Sequence, residues 1–341
     1  MNVATPLRRA RTSLALLLIA APSALAQGAP PTAPTPPAST PAPAATTPAA
    51  ATSAPAPPSP VSGIRNKLSA ADLLSAESML ESHRANHGED GPWLVGYAWL
   101  ARGALLLGEA EKAQRYSAEV YAECSRRVAA GGDLTKDGDL RYALGAVIEV
   151  EAQRIERKQG RRKAADYVRG ELAKWNAPVS FRSRLQKRID LLTLEGTEAP
   201  ELAVEDFLGE RPPSLKDLRG KPVVLYIWDK GCGDCRAQAP FLVKAKERLA
   251  SEGVQFVALT RYYDPGDDLL TEKARADSAW KATLEGMGPT PVVFSNASME
   301  RYGGSSTPTF VFVDRKGIVR RYTPTRLTED ELTRSVRALL D

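Results

Sequence analysis

The chain has 341 residues, with 46 Lys and Arg against 41 Asp and Glu, a formal charge of +5 and three cysteines. Three of those five charges are Arg8, Arg9 and Arg11 at the extreme N-terminus, so the rest of the chain offers no electrostatic basis for nucleic-acid binding. Three cysteines in a chain of this length also exclude a disulfide-stapled miniprotein.

The first residues read as an export signal. Arg8, Arg9 and Arg11 form the basic end, Leu14 to Ala21 a short apolar run, and Ala24-Leu25-Ala26 a small-residue cleavage site, which places cleavage after Ala26. The apolar run is short for a membrane span, and a retained signal would act as an N-terminal anchor. The expected location is periplasmic or otherwise extracytoplasmic. Residues 27–63 are dominated by Pro, Ala, Thr and Ser, which cannot bury enough apolar surface to offset the entropy of ordering, and read as a semi-extended linker.

Residues 64–196 carry apolar residues at helical spacing almost throughout, with no strand pattern. Ser69 followed by Asp72 reads as a capping box, Pro92 opens a second helix, and Glu109–Arg127, Leu140–Gln159, Lys163–Trp175 and Ser180–Leu194 supply the others. Gly108 is followed by Ala113 and Tyr116, and Gly160 by Ala165 and Val168. Glycine at a turn with a small residue five positions on suits a tight helical hairpin. With Tyr97, Leu100 and Ala101 ahead of Gly108, this half resembles a degenerate tetratricopeptide-like array. Such a domain either captures a peptide partner in a groove or serves as a helical cap packed on its neighbour. His83 and His87 lie four apart near one helix end and, lacking a third ligand, read as surface residues and not as a metal site. Cys124 falls at helical spacing with Tyr116, Val120 and Tyr121 and reads as a small buried hydrophobe.

Residues 197–341 change to strands alternating with helices. Val223–Trp228 and Gln255–Thr260 read as buried strands, Leu269–Leu284 as a helix, and Thr309–Val313 with Ile318–Tyr322 as a hairpin. Thr328 and Glu331 form a capping box for a closing helix with Leu332, Val336, Leu339 and Leu340 on its buried face. The expected architecture is an α/β domain, a central mixed sheet flanked by helices, preceded by an all-α helical-hairpin domain.

Cys232-Gly233-Asp234-Cys235 sits where the first buried strand gives way to a helix. Unpaired N–H groups and the positive dipole end at such a junction favour a thiolate over a thiol, and a second cysteine three residues on can close a disulfide. No other cofactor is expected.

With Ala199-Pro200, the run Ser214 to Pro222, Trp228, Arg236, Pro240 and Ser306-Thr307-Pro308-Thr309 before a strand ending at Asp314, residues 198–341 resemble the TlpA/ResA-like branch of the thioredoxin fold. The resemblance implies that Cys232 is the attacking thiol and Cys235 the resolving one. It implies a cis bond before Pro308, with the Thr307 backbone free to pair with an incoming substrate, and modulating roles for Trp228, Asp234 and Gln238. It further implies a thiol-disulfide oxidoreductase acting on cysteine-containing envelope proteins and fed electrons by a membrane-bound donor. A binding scaffold with a weakly active thioredoxin-like domain is the alternative.

Four departures bear on the chemistry. Gly231 stands where relatives carry an aromatic residue, Gln238 where many carry a proton-exchanging glutamate, and Tyr226 where others have an acid or amide. Asp234 between the cysteines disfavours a thiolate, which Lys230 and Arg236 are expected to offset. Asp229, at the position of a peroxide-orienting threonine in peroxiredoxins, argues against peroxide reduction.

Overall fold

The computed structural model describes residues 59–264, 266 and 268–340. The signal reading at 1–26 and nearly all of the linker reading lie outside them. Among the described residues no helix is long and apolar enough to cross a membrane.

Seven helices come first: α1 (Val61–Ser69), α2 (Leu73–His87), α3 (Gly91–Leu106), α4 (Ala110–Ala129), α5 (Gly138–Gln159), α6 (Arg161–Lys174) and α7 (Val179–Thr193). α1 begins inside the segment read as linker, because fully buried Ile64 anchors it to the core. Ser69 ends α1 instead of capping α2. Asp72 is itself the cap, its carboxylate accepting the Ser75 N–H. Gly108 and Gly160 both take positive φ at the turns that close the α3–α4 and α5–α6 hairpins. Ala113 and Ala165 are fully buried where the paired helices cross.

Helices α1, α3, α5 and α7 pack side by side in sequence, whereas α2, α4 and α6 hardly touch one another. Clefts of about 600 Å³ and about 360 Å³ open along α4, one beside α2 and α3, the other beside α5 and α6.

The remaining elements are β1 (Asp206–Leu208), β2 (Val223–Ile227), α8 (Gly233–Arg248), β3 (Gln255–Thr260), α9 (Leu269–Leu284), β4 (Val292–Phe294), α10 (Asn296–Arg301), β5 (Thr309–Val313), β6 (Val319–Thr323) and α11 (Glu329–Arg337). They build one six-stranded sheet in the order β1-β4-β3-β2-β5-β6. β2 lies at its centre, parallel to β3 and antiparallel to β5. Every residue of β2 is buried, because helices cover both faces. Val224 and Tyr226 point into the core shared with α8, α9 and α11, while Val223, Leu225 and Ile227 point into a second core that Leu194, just past α7, helps to fill. The Thr328–Glu331 capping box forms as read. This is the mixed-sheet thioredoxin fold expected for the C-terminal half.

Helix α7 joins the halves, and the chain from Ser59 onward is one compact unit. Arg182 on α7 grips Glu300 on α10 through two bonds of 2.7 and 2.9 Å. Gly303 packs so closely on α7 that a Cβ there would lie 2.3 Å from the Lys187 Cα, and its φ of +56° also demands glycine.

Candidate active site

β2 delivers the chain to a short turn, and Cys232 is the N-cap of α8. Its sulfur accepts the Cys235 N–H at 3.0 Å, using a backbone donor that the first turn of a helix leaves unpaired. Cys232 is half-buried, Cys235 is buried, and both are free thiols. Hydrogen bonding from the Cys235 thiol, then from the Thr307 side chain and the Cys235 N–H, lowers the Cys232 pKa to about 6 against the opposing effects of burial and of Asp229. The Cys235 thiol is pushed up strongly by its bond to Cys232, by burial and by the Cys232 charge. The proton that the pair shares therefore resides on Cys235, and Cys232 is the sulfur that ionises.

Opposite the pair, the Thr307–Pro308 peptide bond is cis. The Thr307 carbonyl is not free as expected: the Cys232 thiol donates to it at 3.3 Å. Ionisation of Cys232 removes that donor and releases the carbonyl for the N–H of an arriving peptide. Pro308 is buried, and the Thr309 hydroxyl closes the turn on the Ser306 carbonyl at 2.7 Å.

Trp228 is buried beneath this surface, its ring 5.2 Å from that of Trp280 and its backbone N–H bonded to the Leu259 carbonyl on β3. It shapes the turn from below. Asp234 is about half exposed and faces Arg326 at 3.5 Å, which draws its charge away from the sulfurs. Lys230, expected to balance Asp234, is engaged elsewhere, on Glu272 at 2.8 Å and Asp264 at 2.9 Å. The buried Glu272 also receives the N–H groups of Tyr263 and Asp264, so this cluster pins the loop after β3 against the turn before Cys232. Neither Glu272 nor Arg326 was identifiable beforehand, because both reach the site from elements distant in sequence.

Gln238, one turn after Cys235, is fully buried; its Oε1 accepts the Leu327 N–H at 2.7 Å, and its Nε2 has no partner among the described residues. The Tyr226 hydroxyl donates to the Cys235 carbonyl at 3.3 Å. Gly231 is exposed, as an open rim requires.

The remaining candidates lie outside this constellation. Cys124 is fully buried, and burial pushes its thiol up to about 12, which suits a packing role. His83 is not a surface residue: it is 6% exposed, and its Nε2 lies 2.9 Å from the Asp90 carboxylate that caps α3. A polar ring beside a cap finds its partner inside, which one-dimensional spacing did not show. Among the described residues no group of three or more His, Cys, Asp or Glu side chains converges closely enough to hold a metal ion.

Residues 194–336 match the family model described as Redoxin. The chain is 28% identical over 127 residues to the thiol-disulfide oxidoreductase ResA of Bacillus thuringiensis (strain Al Hakam), covering 36% of this chain and 66% of that protein. It is 25% identical over 140 residues to the thioredoxin-like protein YneN of Bacillus subtilis (strain 168), covering 40% and 76%. The chain thus spans just under two thirds of the length of that ResA. Among solved structures, a thiol-disulfide isomerase from Corynebacterium glutamicum aligns over 43% of this chain and 97% of its own, with 22% identity and a TM-score of 0.37.

Proposed function

We propose, from a C-terminal half that is a TlpA/ResA-like thioredoxin-fold domain, that this protein is a thiol-disulfide oxidoreductase reducing disulfides of extracytoplasmic proteins. The observation that carries the reading is the asymmetry of the pair: a half-exposed sulfur at a helix N-terminus with its pKa lowered to about 6, and a buried sulfur three residues on that holds the proton.

In this reaction the Cys232 thiolate attacks one sulfur of a substrate disulfide. A Cys232–substrate bond forms, the substrate S–S bond breaks, and the other substrate sulfur leaves as a thiolate that takes up a proton. Negative charge has then left Cys232, so the effects that held the proton on Cys235 are gone. Cys235 ionises and attacks Cys232, closing the Cys232–Cys235 disulfide and expelling the second substrate sulfur. Two electrons pass to the substrate. A dithiol donor at the membrane returns them by the same exchange in reverse. The pair itself is the only redox group the reaction requires. Thr307 and Pro308 form the wall against which an extended substrate lies, and Gly231 leaves the approach open.

The test is reduction of a peptide disulfide by the dithiol protein, alongside Cys232→Ser. The reading expects turnover that the substitution abolishes; turnover unchanged by the substitution, or none in the wild type, refutes it.

A further inference from the structure

Resting on that reading, we propose that the α1/α3/α5/α7 face of the helical half is the client-docking surface, and that it takes an acidic, extended segment flanking the disulfide to be reduced. The face carries a ladder of cations laid on aromatic rings. The Arg102 guanidinium lies 5.3 Å from the Trp99 ring centre; that ring stacks on Tyr142 at 6.2 Å; and the Arg184 guanidinium lies 4.9 Å over Tyr142. All four side chains are half-buried, and a second guanidinium, that of Arg65, lies 4.9 Å from the Trp99 ring centre. Rings of this kind hold guanidinium planes in place while leaving their N–H edges for carboxylates.

The charge of the face is unbalanced. Glu149 is the carboxylate set among these groups, and it is engaged by Arg184 at 2.8 Å. Arg102 and Lys187 form no close ion pair among the described residues and share the field of that same Glu149 with Arg184. Burial first, and then Arg184, Arg102 and Arg188 working against Glu149, hold the Lys187 pKa below its usual value. Three cations, Arg102, Arg184 and Lys187, surround the one carboxylate Glu149, so the local charge is net positive and an arriving carboxylate relieves repulsion already present.

The ladder leads to the chemistry. The Lys187 Nζ donates to the Ser306 Oγ at 2.9 Å, Ser306 precedes Thr307, and the Thr307 carbonyl receives the Cys232 thiol. A client seated along α5 and α7 is thus delivered to the cis-proline wall beside the reactive sulfur. An acidic segment is favoured over a basic one by charge alone.

The experiment compares three substrates: two disulfide peptides differing only in an Asp/Glu or a Lys flanking segment, and a small aryl disulfide that cannot span the ladder. The wild type is expected to prefer the acidic peptide. Arg102→Glu should reduce kcat/KM for it about tenfold through KM, raise that for the lysine peptide, leave the aryl disulfide unchanged, and Arg102→Lys should restore part of the loss. The wild-type preference should fade with added salt. An acidic-to-lysine ratio unmoved by Arg102→Glu overturns the proposal. Titration of the acidic peptide with its cysteines replaced by serine tests docking apart from chemistry. Saturable binding weakened by Arg102→Glu sustains the docking surface even if no disulfide is reduced, and absent binding removes it even if the aryl disulfide is turned over.

Discussion

Lys187, on the last helix of the N-terminal half, donates its ammonium to the hydroxyl of Ser306, one residue before the Thr307 carbonyl that receives the Cys232 thiol. One bond of 2.9 Å thus ties the helical half to the substrate wall of the dithiol. Lys187→Met should loosen that wall without retuning the sulfur. Amide exchange in the 306–311 segment should rise about five- to tenfold, the equivalent of losing one hydrogen bond of about 1 kcal/mol. The pH midpoint of Cys232 alkylation should stay in place. A shifted midpoint would mean that Lys187 acts on the thiolate itself.

The rate of Cys232 alkylation should rise with pH through a midpoint near 6 and level off by neutrality, where an ordinary thiol titrates near 9.0. The largest cause of the lowering is the hydrogen bond from Cys235. Cys235→Ala should therefore move the midpoint upward, whereas Cys124→Ala should leave it alone. Stopped-flow alkylation across pH 4 to 9 reads both.

Gln238→Glu should speed the second half of the exchange. The new carboxylate keeps an acceptor for the Leu327 N–H, and its other oxygen takes the buried position where Nε2 now has no partner. A carboxylate desolvated there has a raised pKa and can take the Cys235 proton one helical turn away. Pre-steady-state release of the second product thiol should quicken several-fold; an unchanged or slower release would show that protons reach Cys235 by another route.

Asp190 on α7 is 3% exposed; one carboxylate oxygen accepts from Gln186 at 2.8 Å, and the other has no partner among the described residues. Burial raises its pKa from 3.8 to about 7. The folded state then binds a proton that the unfolded state has lost, so this group's contribution is full below pH 4 and disappears as pH rises through 7. Asp190→Asn should remove that decline. Between pH 5 and 8 the wild type should lose on the order of a few kcal/mol relative to the variant, read from urea midpoints. Equal slopes with pH would contradict the assignment.

The elements legible in the sequence were those with a strong local period or cap. β3, α9, β5 and the Thr328 capping box fell at the expected residues because each rests on its own apolar pattern or side-chain bond. β1, β4 and α10 were not foreseen. β1 and β4 are three residues each, too short to show a period, and exist through pairing with each other and with β3. The cysteines were evident from spacing and junction, and the cis bond from family resemblance. The partners of Lys230, Asp234 and Lys187 were not, because Glu272, Arg326 and Ser306 reach them only through tertiary packing. The true depth of His83 was hidden for the same reason.

The central claim is that Cys232 attacks and Cys235 resolves. It is tested most directly by trapping with Cys235→Ser: the variant is mixed with a disulfide peptide, quenched with acid and mapped by mass spectrometry. The account predicts a stable mixed disulfide on Cys232 alone, and none when Cys232→Ser is tested with Cys235 intact. An adduct on Cys235 or Cys124, or no adduct on Cys232, would contradict it.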